Sequence, residues 1–173
     1  MIKDGIGGGN TKTGLIYEKK VDLATFIAEQ KDYTVESNNV LYKGKLVAHI
    51  FKKYDFYKYL KYKGIIWQNH ISRQLIPDNA IYVIVNNTMF ILEVKTQSTT
   101  GSVDEKLQTC DFKKKQYQKL LSQLNMEVKY IYILDDWFRN PKYKDVLDYV
   151  ISVGCQYYFN YIPLQKLGLP VPL

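Results

Sequence analysis

Charged residues interrupt two apolar stretches of this sequence, and their types suit hydrolysis that depends on a metal ion. Asp78 follows Pro77 at the head of the first stretch, and Glu93 and Lys95 lie in the second, with fourteen residues between Asp78 and Glu93. Two neighbouring carboxylates repel each other unless a cation lies between them, and such oxygen ligands hold Mg²⁺ while leaving water on the metal. A lysine beside them can orient or deprotonate that water, and the metal can stabilise charge on a phosphodiester.

A β-hairpin is the element that would bring these residues together. Its expected parts are a strand at about 75–85, the turn-prone pair Asn86-Asn87 and a strand at about 89–97. Because side chains alternate along a strand, Glu93 and Lys95 face one side, and the apolar residues next to them face the other. The far ends of the paired strands meet, so we expect Asp78 to lie near Glu93 and Lys95.

The remaining patterns predict a chain in which helices alternate with strands. Helical spacing of apolar residues predicts a first helix from about Leu15 to Gln30, and a capping box of Ser102 and Glu105 predicts a helix to about Leu124. The segments 34–36 and 40–51 are expected to form strands that are broken by two turn-prone pairs, Asn38-Asn39 and Lys43-Gly44. The other expected elements are a helix at 54–62 closed by Gly64, a strand at 128–134, a helix at 142–153 closed by Gly154 and a strand at 155–159. This order predicts an α/β (α+β) protein with a mixed central β-sheet flanked by helices.

Length and composition favour one domain in a reducing compartment. The 173 residues are expected to form a single domain, with a flexible glycine-rich loop at 1–14, a core at about 15–159 and a C-terminal tail at 160–173. The sequence has no stretch of about 18 apolar residues and no secretory signal, and its two cysteines cannot build a disulfide framework. We therefore expect a cytoplasmic protein.

The charge of the chain favours a polyanionic partner. There are 24 Lys and Arg against 17 Asp and Glu, a formal net charge of +7. Lysines interleaved with tyrosines between Lys43 and Lys63 suit a nucleic-acid backbone, although a solvated surface explains any single lysine equally well.

The acidic pair and the lysine together resemble the PD-(D/E)xK nuclease superfamily. The motif reads Pro77-Asp78, fourteen residues, then Glu93-Val94-Lys95, and the predicted element order is similar to the αβββαβ core of that superfamily. Over roughly residues 15–159, a single basic chain of this size looks most similar to a type II restriction endonuclease.

The resemblance implies a Mg²⁺-dependent, site-specific endonuclease that cuts double-stranded DNA, with Mn²⁺ as a substitute metal. It implies Asp78, Glu93 and the backbone carbonyl of Val94 as metal ligands, and Lys95 as the residue that positions the attacking water. Glu18 on the first predicted helix matches a further glutamate that reaches the metal in several branches of the superfamily. A homodimer and a companion DNA methyltransferase are also implied.

Further residues are candidates for contact with DNA. They are Lys12, Arg73, Gln97, Lys113, Lys114 and Arg139. The alternatives remain open: Gln97 can be a polar strand end, the lysines can form a solvated helix face, and Glu93 with Lys95 can be a surface ion pair. As a whole, the chain can instead be a structure-selective nuclease such as a Holliday-junction resolvase, a non-catalytic DNA-binding module or an RNA-cleaving enzyme.

Overall fold

A seven-stranded mixed sheet forms the centre of the protein. The computed structural model describes residues 14–16, 23–99 and 102–173. The strands lie side by side in chain order: β2 (Tyr33–Glu36), β3 (Asn39–Tyr42), β4 (Lys45–Lys52), β5 (Asn79–Val83), β6 (Thr88–Lys95), β7 (Glu127–Leu134) and β8 (Gln156–Phe159). Neighbours from β2 to β6 are antiparallel, whereas β6, β7 and β8 run parallel. A separate two-stranded sheet pairs β1 (Gly14–Ile16) with β9 (Tyr161–Pro163).

Helices cover both faces of this sheet, which confirms the predicted fold class. They are α1 (Leu23–Ala28), α2 (Asp55–Tyr62), α3 (Val103–Leu107), α4 (Cys110–Leu121) and α5 (Lys144–Ser152). Side chains of α2, α4 and α5 form one apolar cluster with alternate residues of β5, β6 and β7, and α1 forms a second cluster on the opposite face. Within the described residues, every helix is too short or too polar to cross a membrane.

The predicted hairpin is present as β5 and β6. Its register pairs Val83 with Thr88 next to the turn and Asn79 with Leu92 at the far end. Strand β5 begins at Asn79 rather than near residue 75, because the residues before it form a loop that is held by side chains of α2 and α4. The hairpin thus brings its two far ends together, as strand pairing across Asn86-Asn87 predicts.

Turn chemistry also places the neighbouring elements where the sequence predicts them. Lys43 and Gly44 both have positive φ, 50° and 74°, at the turn between β3 and β4. Gly64 (φ 77°) follows α2 and Gly154 (φ 73°) follows α5, and glycine adopts this left-handed conformation without the steric cost of a Cβ.

Two of the expected helices differ from the structure. Leu15 lies in β1, where it pairs with Ile162, and the described helix begins only at Leu23. The long helix predicted to reach Leu124 is divided into α3 and α4, because the Thr109 hydroxyl donates to the Lys106 carbonyl, 2.7 Å away, and this local bond competes with helical pairing.

The predicted capping box is not formed, since the Ser102 side chain makes no capping hydrogen bond. The expected tail is instead an ordered part of the core. Its apolar side chains pack in the cluster on the α1 face: Ile162, Leu164, Leu167 and Leu169.

Candidate active site

The open end of the hairpin places Asp78 across from Glu93. Asn79 pairs with Leu92, so the antiparallel register continued by one residue sets Asp78 opposite Glu93, and cross-strand neighbours share a face of the sheet. Asp78 Oδ2 accepts a hydrogen bond of 3.0 Å from the backbone N–H of Val94. Oδ1 of Asp78 has no hydrogen-bond partner in the part of the chain that the structure describes. One carboxylate oxygen is therefore fixed, and the other is available to a ligand.

Glu93 is surrounded by donors. The Nζ of Lys95 contacts Oε1, and the Nζ of Lys113 lies 2.9 Å from Oε1 and 3.1 Å from Oε2. The hydroxyl of Tyr130 donates to Oε2. Only 15% of the Glu93 side chain is exposed, and a carboxylate so far removed from water needs partners of this kind to remain charged.

Three different elements supply these donors. Lys95 follows Glu93 by two residues on β6, so both side chains leave the strand on one face. Tyr130 lies on the adjacent parallel strand β7, opposite Ile91 in register. Lys113 comes from α4, which packs over the same face through the buried Tyr117.

Tyrosine hydroxyls hold the loop that leads to Asp78. Both Tyr57 and Tyr117 donate to the carbonyl of Leu75, at 3.0 and 3.2 Å, and the Leu75 N–H donates back to the Tyr57 hydroxyl. Burial raises the pKa of Tyr57 to about 12, and burial together with the nearby Tyr57, Glu93 and Asp78 raises the pKa of Tyr117 further. Both hydroxyls therefore keep their protons, and their bonds to Leu75, at neutral pH.

A pocket of about 440 Å³ opens beside Glu93. Its walls come from the loop before Asp78, from Glu93 and from α4: Ser72, Arg73, Gln74, Leu75, Ile76, Glu93, Phe112, Lys113, Gln116 and Tyr117. Arg73, a predicted DNA contact, lines this pocket and makes no hydrogen bond or ion pair to any residue that the structure describes. Lys113, another predicted contact, also lines the pocket and pairs there with Glu93.

Other predicted contacts are engaged elsewhere. The Gln97 side chain donates to the Thr99 carbonyl at 2.6 Å, and Lys114 donates to the Gly154 carbonyl at 2.7 Å. Arg139 pairs with Asp136 at 2.7 Å and stacks over the ring of Phe159. The structure therefore does not bring these three residues to Glu93. Lys12 and Glu18 lie outside the described residues.

The donor chemistry fits a magnesium ion. Mg²⁺ binds through one or two protein carboxylates and completes its shell with water and substrate oxygens. Asp78 and Glu93 are two carboxylates next to the last residue pair of the hairpin, Asn79 with Leu92. The described residues hold no group of three or more His, Cys, Asp or Glu that could bind a metal. Asp78, Glu93 and the Val94 carbonyl thus remain the predicted ligand set.

Sequence reasoning missed the tyrosines of this cluster. Tyr130 and Tyr132 alternate with isoleucines in the second half of β7, and both face the Glu93 side of the sheet. Tyr117 lies four residues after Lys113, the spacing at which two side chains share a helix face. Tyrosines at strand spacing in β7 and at helix spacing from Lys113 in α4 were the available signal.

The fold and the cluster define a mixed α/β protein in which Glu93 contacts two lysines near the end of a hairpin and Asp78 accepts a hydrogen bond from the adjacent Val94. Comparisons with family models, with curated proteins and with solved structures found no match to this chain.

Proposed function

We propose that this protein is a Mg²⁺-dependent, site-specific endonuclease of double-stranded DNA, of the type II restriction kind. The observation that carries the proposal is the hydrogen bond of Asp78 to Val94 N–H, directly beside Glu93, with Lys95 in contact with the Glu93 carboxylate. As part of the proposal, the enzyme works in the cytoplasm as a homodimer, because two-fold symmetry lets a chain with one site cut both strands of a palindrome. A companion methyltransferase would protect the host DNA.

Each charged residue of the site has a separate role in the proposed hydrolysis. Asp78 and Glu93 would hold the metal, and the hydrogen bond from Val94 N–H to Asp78 keeps the first carboxylate in place. Lys95, on the same face as Glu93, orients the attacking water toward the phosphodiester. When bound, Mg²⁺ supplies stabilisation of the charge that develops on the phosphate.

Local charge supports a phosphate-containing substrate. Three cationic side chains lie in or next to the pocket, those of Lys95, Lys113 and Arg73, against the two carboxylates of Asp78 and Glu93. The whole chain carries a formal charge of +7. Positive potential at a site attracts polyanions and favours their phosphate groups over uncharged ligands.

Cleavage of long unmethylated duplex DNA tests the proposal. We expect discrete fragments with Mg²⁺ and none with EDTA, and we expect Asp78→Asn or Lys95→Ala to lower the cleavage rate about 100-fold or more. Lys144→Gln is the matched control, since Lys144 is exposed on α5 and pairs with Asp148, and it should cut like wild type. Circular dichroism and gel-shift binding in Ca²⁺ verify that each variant folds and binds DNA.

Wild-type rates in either site variant would refute the assignment. Cleavage confined to branched DNA would instead indicate a junction-resolving nuclease. Salt-sensitive binding without cleavage, unchanged by Asp78→Asn, would indicate a DNA-binding module.

A further inference from the structure

The pocket beside Glu93 combines positive charge with an exposed aromatic ring. Arg73 and Lys113 contribute cations, and Phe112, of which 62% is exposed, contributes a ring that the core does not cover. Phe112 and Lys113 are adjacent on α4, whereas Arg73 lies on the facing loop. A large aromatic side chain that remains in water next to two cations suits a ligand with a planar ring and a phosphate.

An anion can enter this pocket although Glu93 forms part of its wall. Lys95 and Lys113 both contact the Glu93 carboxylate and offset its charge. An ammonium group has three N–H donors, so Lys113 can keep its bond to Glu93 and still donate to a phosphate oxygen. Arg73 offers a planar fork that matches phosphate and has no partner among the described residues.

The size of the pocket sets the size of its ligand. A volume of about 440 Å³ is at the small end of the usual range for small-molecule sites and is far too small for a duplex. The amides of Gln74 and Gln116 at the wall can bond the polar edge of a base.

We propose that this pocket binds a single nucleotide unit of the DNA strand, with its base against Phe112 and its phosphate between Arg73 and Lys113. This inference rests on the proposed function and deepens it, because the nucleotide would lie directly beside the phosphodiester held at Asp78 and Glu93. It implies that the enzyme engages one unpaired nucleotide next to the bond that it cuts, since a paired base cannot enter a pocket of this size.

Calorimetric titration with deoxyadenosine 5′-monophosphate, deoxyadenosine and inorganic phosphate, in EDTA and at low salt, tests the pocket. We expect the monophosphate to bind about tenfold more tightly than either part alone. Arg73→Gln should weaken monophosphate binding about fivefold or more and leave binding of the nucleoside unchanged. Phe112→Ala should weaken binding of both the monophosphate and the nucleoside by a similar factor, because base stacking contributes about 1–3 kcal/mol.

Lys144→Gln removes an exposed lysine from α5 and should bind the monophosphate like wild type. Arg73 and Phe112 are both exposed, so their replacement leaves the core intact. The inference would be overturned if phosphate and the monophosphate bound equally well, or if the wild type bound neither. Monophosphate binding at the wild-type level by Phe112→Ala or by Arg73→Gln would overturn it as well. Because the titration needs no catalysis, nucleotide binding without DNA cleavage would refute only the proposed function, and cleavage without nucleotide binding would refute only the pocket.

Discussion

Glu93 has the most side-chain partners among the candidate catalytic residues that the structure describes. Its carboxylate contacts Lys95 and Lys113 and accepts a hydrogen bond from Tyr130. In the proposed function Glu93 is also a metal ligand, so Lys113 and the divalent cation compete for the same oxygens. Lys113 is therefore expected to tune the affinity for metal as well as to contact phosphate.

Replacement of Lys113 tests this competition. We expect Lys113→Met to bind Ca²⁺ about fivefold more tightly than wild type, because a positive charge 2.9 Å from Glu93 is removed, an effect of roughly 1 kcal/mol at a partly screened site. Titration calorimetry with Ca²⁺ measures the affinity. Lys114→Met is the matched control, since Lys114 follows on the same helix but donates to the Gly154 carbonyl. Unchanged or weaker binding in Lys113→Met would show that Lys113 does not compete.

At the scale of elements, the C-terminal segment around Leu167 and Gly168 packs against the turn of the hairpin. The Asn86 side chain donates to the Leu167 carbonyl at 3.4 Å, and the neighbouring Gly168 has a φ of 71°. A Cβ at Gly168 would lie 2.5 Å from Nδ2 of Asn86. The position thus requires glycine both for its backbone conformation and for its close approach to the hairpin.

A comparison of two glycines separates these effects. Gly64 also has positive φ, 77°, but a Cβ there would meet nothing within 4 Å. We expect Gly64→Ala to lower the free energy of unfolding by about 1 kcal/mol through backbone strain alone. Gly168→Ala should lower the free energy of unfolding by about 1 kcal/mol more than Gly64→Ala does. The reason is that Asn86 must move and lose its hydrogen bond to the Leu167 carbonyl. Urea denaturation measures both values, and equal losses would show that the segment does not pack closely on the turn.

At the scale of the whole molecule, one sheet separates two apolar clusters, and the candidate site lies on the face covered by α2 and α4. Tyr57 of α2 and Tyr117 of α4 join these helices to the loop before Asp78 through Leu75. The geometry of the site and the global stability are thereby coupled through buried hydroxyls.

Stability at high pH tests this coupling. Burial raises the pKa of Tyr57 from 10.0 to about 12, so between these values the unfolded chain loses the proton while the folded chain keeps it, and the stability that Tyr57 contributes falls as pH rises. At pH 8, Tyr57→Phe should be less stable than wild type by about 1 kcal/mol, because the bonds to Leu75 are lost. Urea denaturation from pH 8 to about 11.5 should show this difference shrinking above pH 10. A difference that stays constant across that range would contradict a buried, protonated Tyr57.

The sequence by itself determined the features that depend on neighbouring residues. The period of two along a strand places Glu93 and Lys95 on one face, and the turn at Asn86-Asn87 returns Asp78 to them, so the hairpin and its charged end follow from local geometry. Glycines at positive φ likewise mark the ends of helices without any tertiary information. The same local reasoning was wrong for the helix at Leu15, because pairing with the distant Ile162 outweighs helical spacing.

Only the tertiary structure decided which partners Glu93 receives. Tyr130 is 37 residues from Glu93 and Lys113 is 20 residues away, and they reach it through the parallel register of β6 with β7 and the packing of α4. A parallel register is not set by a turn, and a shift of one residue would point Tyr130 to the opposite face. The pocket also forms between a loop and a helix that are far apart in sequence. These features depend on how the whole core packs, and no local pattern contains that information.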